Sequence, residues 1–256
     1  MAVVARLNTA AVKGTALGHP DAIEVTEQGA RGDRIAYLID EHGRLVNAKQ
    51  APALTTVRSR LDGDDLVLAL LDGATIAGPL DPTGDPVTTS FYGRAVPGRI
   101  VDGPFADALS AVVGRPVQLA RPDGVAAVDS SPVSLVSRAT LEALRVASSG
   151  PVSGWADRFR ILIEIDGVQS REEETWTGQH VAVGEAVIEV TAPITRCAVT
   201  TLDPVTGSAD HDTLGALRSW RADGAITLGM KGQVVQPGRI ARGAVLHPRQ
   251  RPSRGR

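Results

Sequence analysis

Val187-Ile188-Glu189-Val190 and, four residues on, Ile194-Thr195-Arg196-Cys197-Ala198-Val199-Thr200-Thr201-Leu202-Asp203-Pro204-Val205-Thr206-Gly207 form the stretch from which the rest of the chain is read. It opens as an apolar run and holds the only cysteine. A thiolate is a soft ligand and a good nucleophile, and an adjacent guanidinium favours that charged form by Coulomb attraction. Arg196 stands in that position. The plainer reading of a lone cysteine is a small buried hydrophobe. Asp203, Pro204 and Gly207 read as a tight turn, with Asp as side-chain acceptor and Gly free for positive φ. A strand is expected over 197–201, fixed by that turn.

Composition narrows the classes. The 256 residues are 43% hydrophobic and 22% charged, enough for one large or two small cores. Lys+Arg 27 against Asp+Glu 29 leaves a net charge of -2, so no global basic field points to nucleic acid or an anionic membrane. Any anion site must be local. One cysteine makes no internal disulfide, and the chain reads as suited to a reducing cytoplasm. The residues from Met1 to Leu7 lack the apolar core of a signal peptide, and no run approaches the ~20 apolar residues of a membrane span.

From Val3 to about Leu80, short alternating runs separated by turn residues predict an all-β unit, with strands at 3–7, 22–26, 35–40, 45–47, 66–71 and 75–77. Glu41-His42-Gly43 and Leu71-Asp72-Gly73 predict hairpins. A surface loop over 81–86 precedes a strand at 87–91. After Gly103, Pro104 fits the start of a helix whose stripe is Phe105, Ala108, Leu109 and Val112, ending at Gly114. Arg115 to Leu119 is strand-like, and Arg121-Pro122-Asp123-Gly124 reads as a linker. Ser137 predicts the N-cap of a helix through Leu144, with Val136 and Leu141 spaced as a hydrophobic staple. Further strands are expected at 160–165, 181–183, 185–190, 226–228, 233–236 and 244–246, with one more helix over 213–220. Two units follow, residues 1–120 and 121–248, and then a solvated basic tail at 249–256. The fold class is mainly β with a few helices.

Arg196-Cys197 followed by Asp203-Pro204-x-x-Gly207, preceded by Arg158-Phe159-Arg160 and by Glu172-Glu173-Glu174-Thr175-Trp176, resembles the MOSC domain of molybdenum-cofactor sulfurases and amidoxime-reducing components. The resemblance continues through Leu214-x-x-Leu217-Arg218-Ser219-Trp220-Arg221 and Gln236-Pro237-Gly238-Arg239-Ile240. Ala11-Val12-Lys13-Gly14, Gly32-Asp33-Arg34 and Asn47-Ala48-Lys49-Gln50-Ala51-Pro52 are similar to the β-barrel domain that precedes MOSC in those proteins. The architecture it implies is an N-terminal β-barrel-like domain and a C-terminal MOSC barrel.

The resemblance implies a molybdopterin cofactor, which presents a phosphate, a polar bicyclic ring and a dithiolene holding the metal. It implies Lys13, Arg34, Arg160 and Arg196 as the cations that converge on it. Thr195 and Thr140 are implied as cofactor-contacting hydroxyls, and Cys197 as the metal ligand and catalytic residue. Read as residues alone, the cations could equally be solvated surface charges, and the threonines ordinary strand or helix-start residues. Gly14, Ile161 and Leu162 depart from the family's usual Ser and Pro-Asn, and Lys231 stands where related reductases often carry an aromatic residue. His180 and His211 could serve Cys197 as a base only if the fold brought them together. Neither a phosphate loop ending in Gly-Lys-Ser/Thr nor a Gly-x-Gly-x-x-Gly after a strand is present, so a nucleotide is not the expected main ligand.

The function implied is two-electron reduction at an N–O bond of an N-hydroxylated or N-oxygenated small molecule, with electrons from a separate donor protein. Two rival readings follow from the same residues: sulfur transfer through a Cys197 persulfide, and non-catalytic carriage of the cofactor.

Overall fold

In the computed structural model, which describes residues 1–124 and 127–249, strands with one buried face dominate. A seven-stranded sheet runs in the order Val3–Leu7, Ile163–Asp166, Val133–Ser137, Thr227–Gln236, Ala186–Thr195, His180–Val183, Leu246–Arg249. Ala186, Ile188 and Val190 alternate into its core, as a half-buried strand requires. The pair Val133–Ser137 and Ile163–Asp166 is parallel and therefore needs a crossover. Helix α2, Arg138–Ala147, supplies it.

A five-stranded sheet, order Leu45–Val46, Tyr37–Ile39, Gln118–Pro122, Arg94–Ile100, Pro86–Phe91, and the meander Arg58–Asp62, Asp65–Ala69, Thr75–Pro79 build the N-terminal barrel. Helix α1, Phe105–Val113, starts one residue after Pro104 and ends at Gly114 in the left-handed region, φ 76°. Its Phe105 and Leu109 are fully buried in the barrel core with Leu38, Leu54, Leu66 and Leu119. Both hairpins expected at Gly43 and Gly73 form.

The chain threads the two cores. Ala2, Val4, Leu7, Ile23, Val25 and Ala30 pack with Ile163, Val181 and Ile188 in the core of the seven-stranded sheet. Ala11 and Val12 then join the barrel core. The sequence division near residue 120 is thus not a division of the hydrophobic interior. Residues 8–15 run along the seam between the cores, which is how Lys13 reaches it.

Several expectations change. The strand expected over 197–201 is instead a 3₁₀ turn, Ala198–Thr201, with Cys197 extended before it. The Thr200 and Thr201 hydroxyls donate to the carbonyls of Cys197 and Ala198, satisfying locally the backbone groups that a sheet would have claimed. The segments 226–228 and 233–236 are one bulged strand, Thr227–Gln236. Pro97 and Gly98 mask the strand Arg94–Ile100 in the sequence; Gly98 fits because it has no Cβ, which there would run into the Arg121 carbonyl. Arg121 and Pro122 finish a strand rather than a linker. Leu246–Arg249 pairs with His180–Val183, so Arg249 is sheet rather than tail, and 250–256 lie outside the described residues. Helix α3, Thr213–Trp220, has the expected bounds.

Candidate functional site

A cavity of about 210 Å³ opens on the seam between the two cores. Of the expected site residues, Lys13, Arg34, Arg160, Thr195, Arg196 and Cys197 all line it. Thr140 does not. It is buried, accepts a hydrogen bond from the Arg171 amide at 2.7 Å and lies 2.7 Å from the Ser137 hydroxyl that caps α2. That turn is covered by the Glu172–Trp176 segment, whose Glu173 accepts from the Ser137 amide at 3.1 Å, so its hydroxyls serve the helix start. His180 and His211 are also absent from the lining; His211 packs edge-on against Trp155, at a centroid distance of 5.4 Å.

The cations arrive from different elements. Arg34 and Arg160 both hold positive φ, 49° and 52°, in the left-handed region that costs a side-chain-bearing residue of order 1 kcal/mol. They meet across the seam, where Arg34 Nη2 donates to the Arg160 carbonyl at 3.2 Å and Arg160 Nη2 donates to the Thr15 carbonyl at 2.7 Å. Lys13, almost fully buried, reaches Asp129 at 2.5 Å and the Ala127 carbonyl at 2.9 Å. Arg196 lies beside Phe159 and donates to the carbonyls of Leu228 and Phe159 at 2.9 Å each. Gly14 has φ 95°, a backbone conformation that strains any residue with a side chain, so glycine suits this position.

Six cationic side chains and one carboxylate, Asp129, line the cavity. Three of the cations are paired: Lys13 with Asp129, Arg34 with Asp33 and Arg158 with Asp210. No ion pair involves Arg160, Arg196 or Lys231 among the described residues. Burial pulls the Arg196 guanidinium down to about 9, against the attraction of Cys197, and pulls Arg160 down to about 10 with Arg34 adding repulsion. Burial likewise lowers the Lys13 ammonium, with Asp129 opposing. Both guanidinium groups stay charged at neutral pH, so the cleft carries positive charge that no ion pair among the described residues compensates. An anion entering it relieves that cost.

Cys197 is exposed, at the end of the Ala186–Thr195 strand and the start of the 3₁₀ turn. Fully buried Arg158 anchors the loop beyond it, with two bonds of 2.6 Å to Asp210 and one of 3.4 Å to the Thr201 carbonyl. Thr200 ties the same turn to Thr213 of α3 at 2.6 Å. Among the described residues no group of three or more His, Cys, Asp or Glu could hold a metal ion, so a metal here would bring ligands of its own. Sequence reasoning missed Asp129 and Tyr92, both lining the cavity. Tyr92-Gly93 carries a readable hairpin signal; Asp129 carries none.

The family models divide the chain near residue 120, although its first thirty residues also contribute to the core of the seven-stranded sheet. MOSC N-terminal beta barrel domain matches residues 1–116, and MOSC domain matches residues 122–247. The chain is a MOSC domain protein. It is similar to "Mitochondrial amidoxime-reducing component 1" of Mus musculus, 28% identical over 225 residues, covering 77% of this chain and 65% of the relative. It is also similar to "Molybdenum cofactor sulfurase" of Drosophila melanogaster, 27% identical over 209 residues, covering 76% of this chain and 26% of the relative. The chain thus spans just under two thirds of the first relative's length and about a quarter of the second's. Among solved structures it resembles the YUAD protein from Bacillus subtilis, with a TM-score of 0.44 and 11% identity over 96% of this chain and 94% of that one. No helix among the described residues of this MOSC protein is long and apolar enough to cross a membrane.

Proposed function

We propose that this MOSC protein binds a molybdenum cofactor in the seam cavity and reduces N-hydroxylated or N-oxygenated small molecules, with electrons from a separate redox protein. The observation that carries the reading is the convergence of three carboxylate-free or strained arginines, a buried lysine and an exposed cysteine on one cavity. That donor set suits the group's chemistry: Lys13, Arg34 and Arg160 for a phosphate, Arg196 and Thr195 for ring heteroatoms, and Cys197 as the one protein thiolate for a metal that carries its other sulfur ligands with it. When bound, the cofactor supplies a metal that can exchange two electrons with an N–O group.

The chain's own residues bind and orient. Arg196 is locked by the carbonyls of Phe159 and Leu228, so its positive charge is fixed in the cavity next to Cys197 in the chain. Arg158 and Thr200 hold the turn bearing Cys197 against α3 and the loop at Asp210. The overall conversion of an amidoxime consumes two electrons and two protons, breaks the N–O bond and yields amidine and water. A cytoplasmic setting, which keeps Cys197 reduced, suits it. Holoprotein from a cofactor-competent host, given a chemically reduced dye, should convert benzamidoxime to benzamidine.

Exposure of Cys197 and the similarity to a sulfurase favour one second reading, sulfur transfer through a Cys197 persulfide. Cyanide-releasable sulfur in the same preparation, with no reduction of any N-oxygenated substrate, would favour that reading. Cofactor bound with neither activity would favour carriage alone.

A further inference from the structure

Tyr92 occupies a place that a tyrosine takes only at a cost. Pro86–Phe91 and Arg94–Ile100 are joined by the two-residue loop Tyr92-Gly93, with φ 52° and 90°. Positive φ at both positions is the type I′ pattern, which Asn or Gly satisfies far more easily than an aromatic residue. The strained side chain does not pack into a core. It is 65% exposed, yet it lines the seam cavity together with Cys197 and Asp129. Its hydroxyl lies 3.5 Å from Nδ2 of Asn47, a buried side chain that also lines the cavity. Strain concentrated on an exposed side chain at the mouth of a charged cleft points to function rather than packing.

We propose that Tyr92 is a substrate-facing catalytic residue of this cleft, its ring walling the space beside Cys197 and its hydroxyl donating to the oxygen of the N-oxygenated group. This rests on the reductase reading. As the N–O bond breaks, two electrons come from the external reduced redox protein or dye. The oxygen, which already carries one hydrogen, leaves as water with one proton from the phenol, which solvent reprotonates, and the nitrogen takes the second proton from solvent. Partial burial, with the negative charge of Asp129, pushes the phenol up to about 12, so it holds its proton throughout the working range. The ring presents a flat apolar face to a planar amidoxime or N-hydroxylated heterocycle.

Three variants test it in holoprotein driven by reduced dye. Tyr92→Phe keeps the ring and the turn and should lose about 100-fold in kcat with KM nearly unchanged. Tyr92→Asn relieves the turn and should lose as much turnover at an equal or higher melting temperature. Tyr92→Ala should also raise KM. A readout independent of turnover is the fluorine resonance of Tyr92 in 3-fluorotyrosine-labelled protein, assigned with Tyr37→Phe, since these are the only two tyrosines. It should shift when Cys197 is carboxymethylated in the cofactor-free protein. An active wild type whose Tyr92→Phe variant keeps full kcat overturns the role of Tyr92 and leaves the reductase reading standing, as does a resonance unmoved by carboxymethylation. A wild type inactive on every N-oxygenated substrate overturns the reductase reading, and the donor role with it.

Discussion

Replacing Arg160 with glutamine should stabilise the cofactor-free protein while weakening its hold on anions. In the folded state Arg160 sits beside Arg34 with no carboxylate partner among the described residues, its one side-chain bond being to the Thr15 carbonyl. The fall from the ordinary guanidinium value to about 10, caused by burial and by Arg34, corresponds, at about 1.4 kcal/mol per pH unit, to an upper bound of about 3 kcal/mol against the charged form. The side chain is partly open to solvent, and screening reduces this to roughly 1–2 kcal/mol. Glutamine keeps a donor for Thr15 and has the same left-handed backbone cost, so charge is the main change. The melting temperature should rise by about 2–8 °C at low salt. Inorganic phosphate should stabilise the wild type by mass action and the variant markedly less. Calorimetry of both proteins with and without phosphate reads both effects. A lower melting temperature in Arg160→Gln, with equal phosphate stabilisation of both proteins, would show that Arg160 is structural and that the cleft has no unmet positive charge.

Two further outcomes follow from side chains near the site. Asp210, held below the ordinary carboxylate range first by its hydrogen bonds to Arg158, contributes stability present above its unfolded pKa and lost as pH falls through the folded one. Asp210→Asn should therefore cost about 3 kcal/mol at pH 7 by leaving buried Arg158 poorly paired. Its stability should fall less than the wild type's as pH drops below about 4, which urea unfolding at pH 7 and pH 3 would read; parallel loss in both proteins would contradict the assignment. Thr140→Ala should cost about 1 kcal/mol by removing a member of the α2 capping network while leaving molybdenum content unchanged. Loss of molybdenum in well-folded Thr140→Ala would return that residue to the site.

Local chemistry was readable in the sequence wherever neighbours in the chain decide the outcome. Val3–Leu7 and Ala22–Thr26 follow from alternation, α3 from its spacing of Leu214 and Leu217, and the start of α2 from the Ser137 cap, whose hydroxyl does accept from the Thr140 amide. The turn after Cys197 misled because four β-branched or small residues read as strand, while their hydroxyls close a 3₁₀ turn instead. Thr140 misled because a helix-start hydroxyl looks alike whether it faces a ligand or, as here, the Arg171 amide. That Asp129 and Tyr92 line the cavity is invisible in the sequence for a different reason. One meets Lys13 across 116 residues, and the other reaches the cavity from a hairpin tip, so only the tertiary fold brings them together. The seam itself, with residues 8–15 passing between two cores, has no signature in any single segment.

In the proposed site Cys197 would be the protein's bond to the metal. Cys197→Ser, made in a cofactor-competent host, is the direct measurement: melting temperature, pterin, molybdenum and dye-driven turnover on one sample. Because the side chain is exposed and the anion-binding residues are separate, the fold and much of the pterin should be retained while turnover is abolished, a hydroxyl being a poor substitute for a soft thiolate. A variant that reduces benzamidoxime at the wild-type rate, with only its melting temperature changed, would contradict the account.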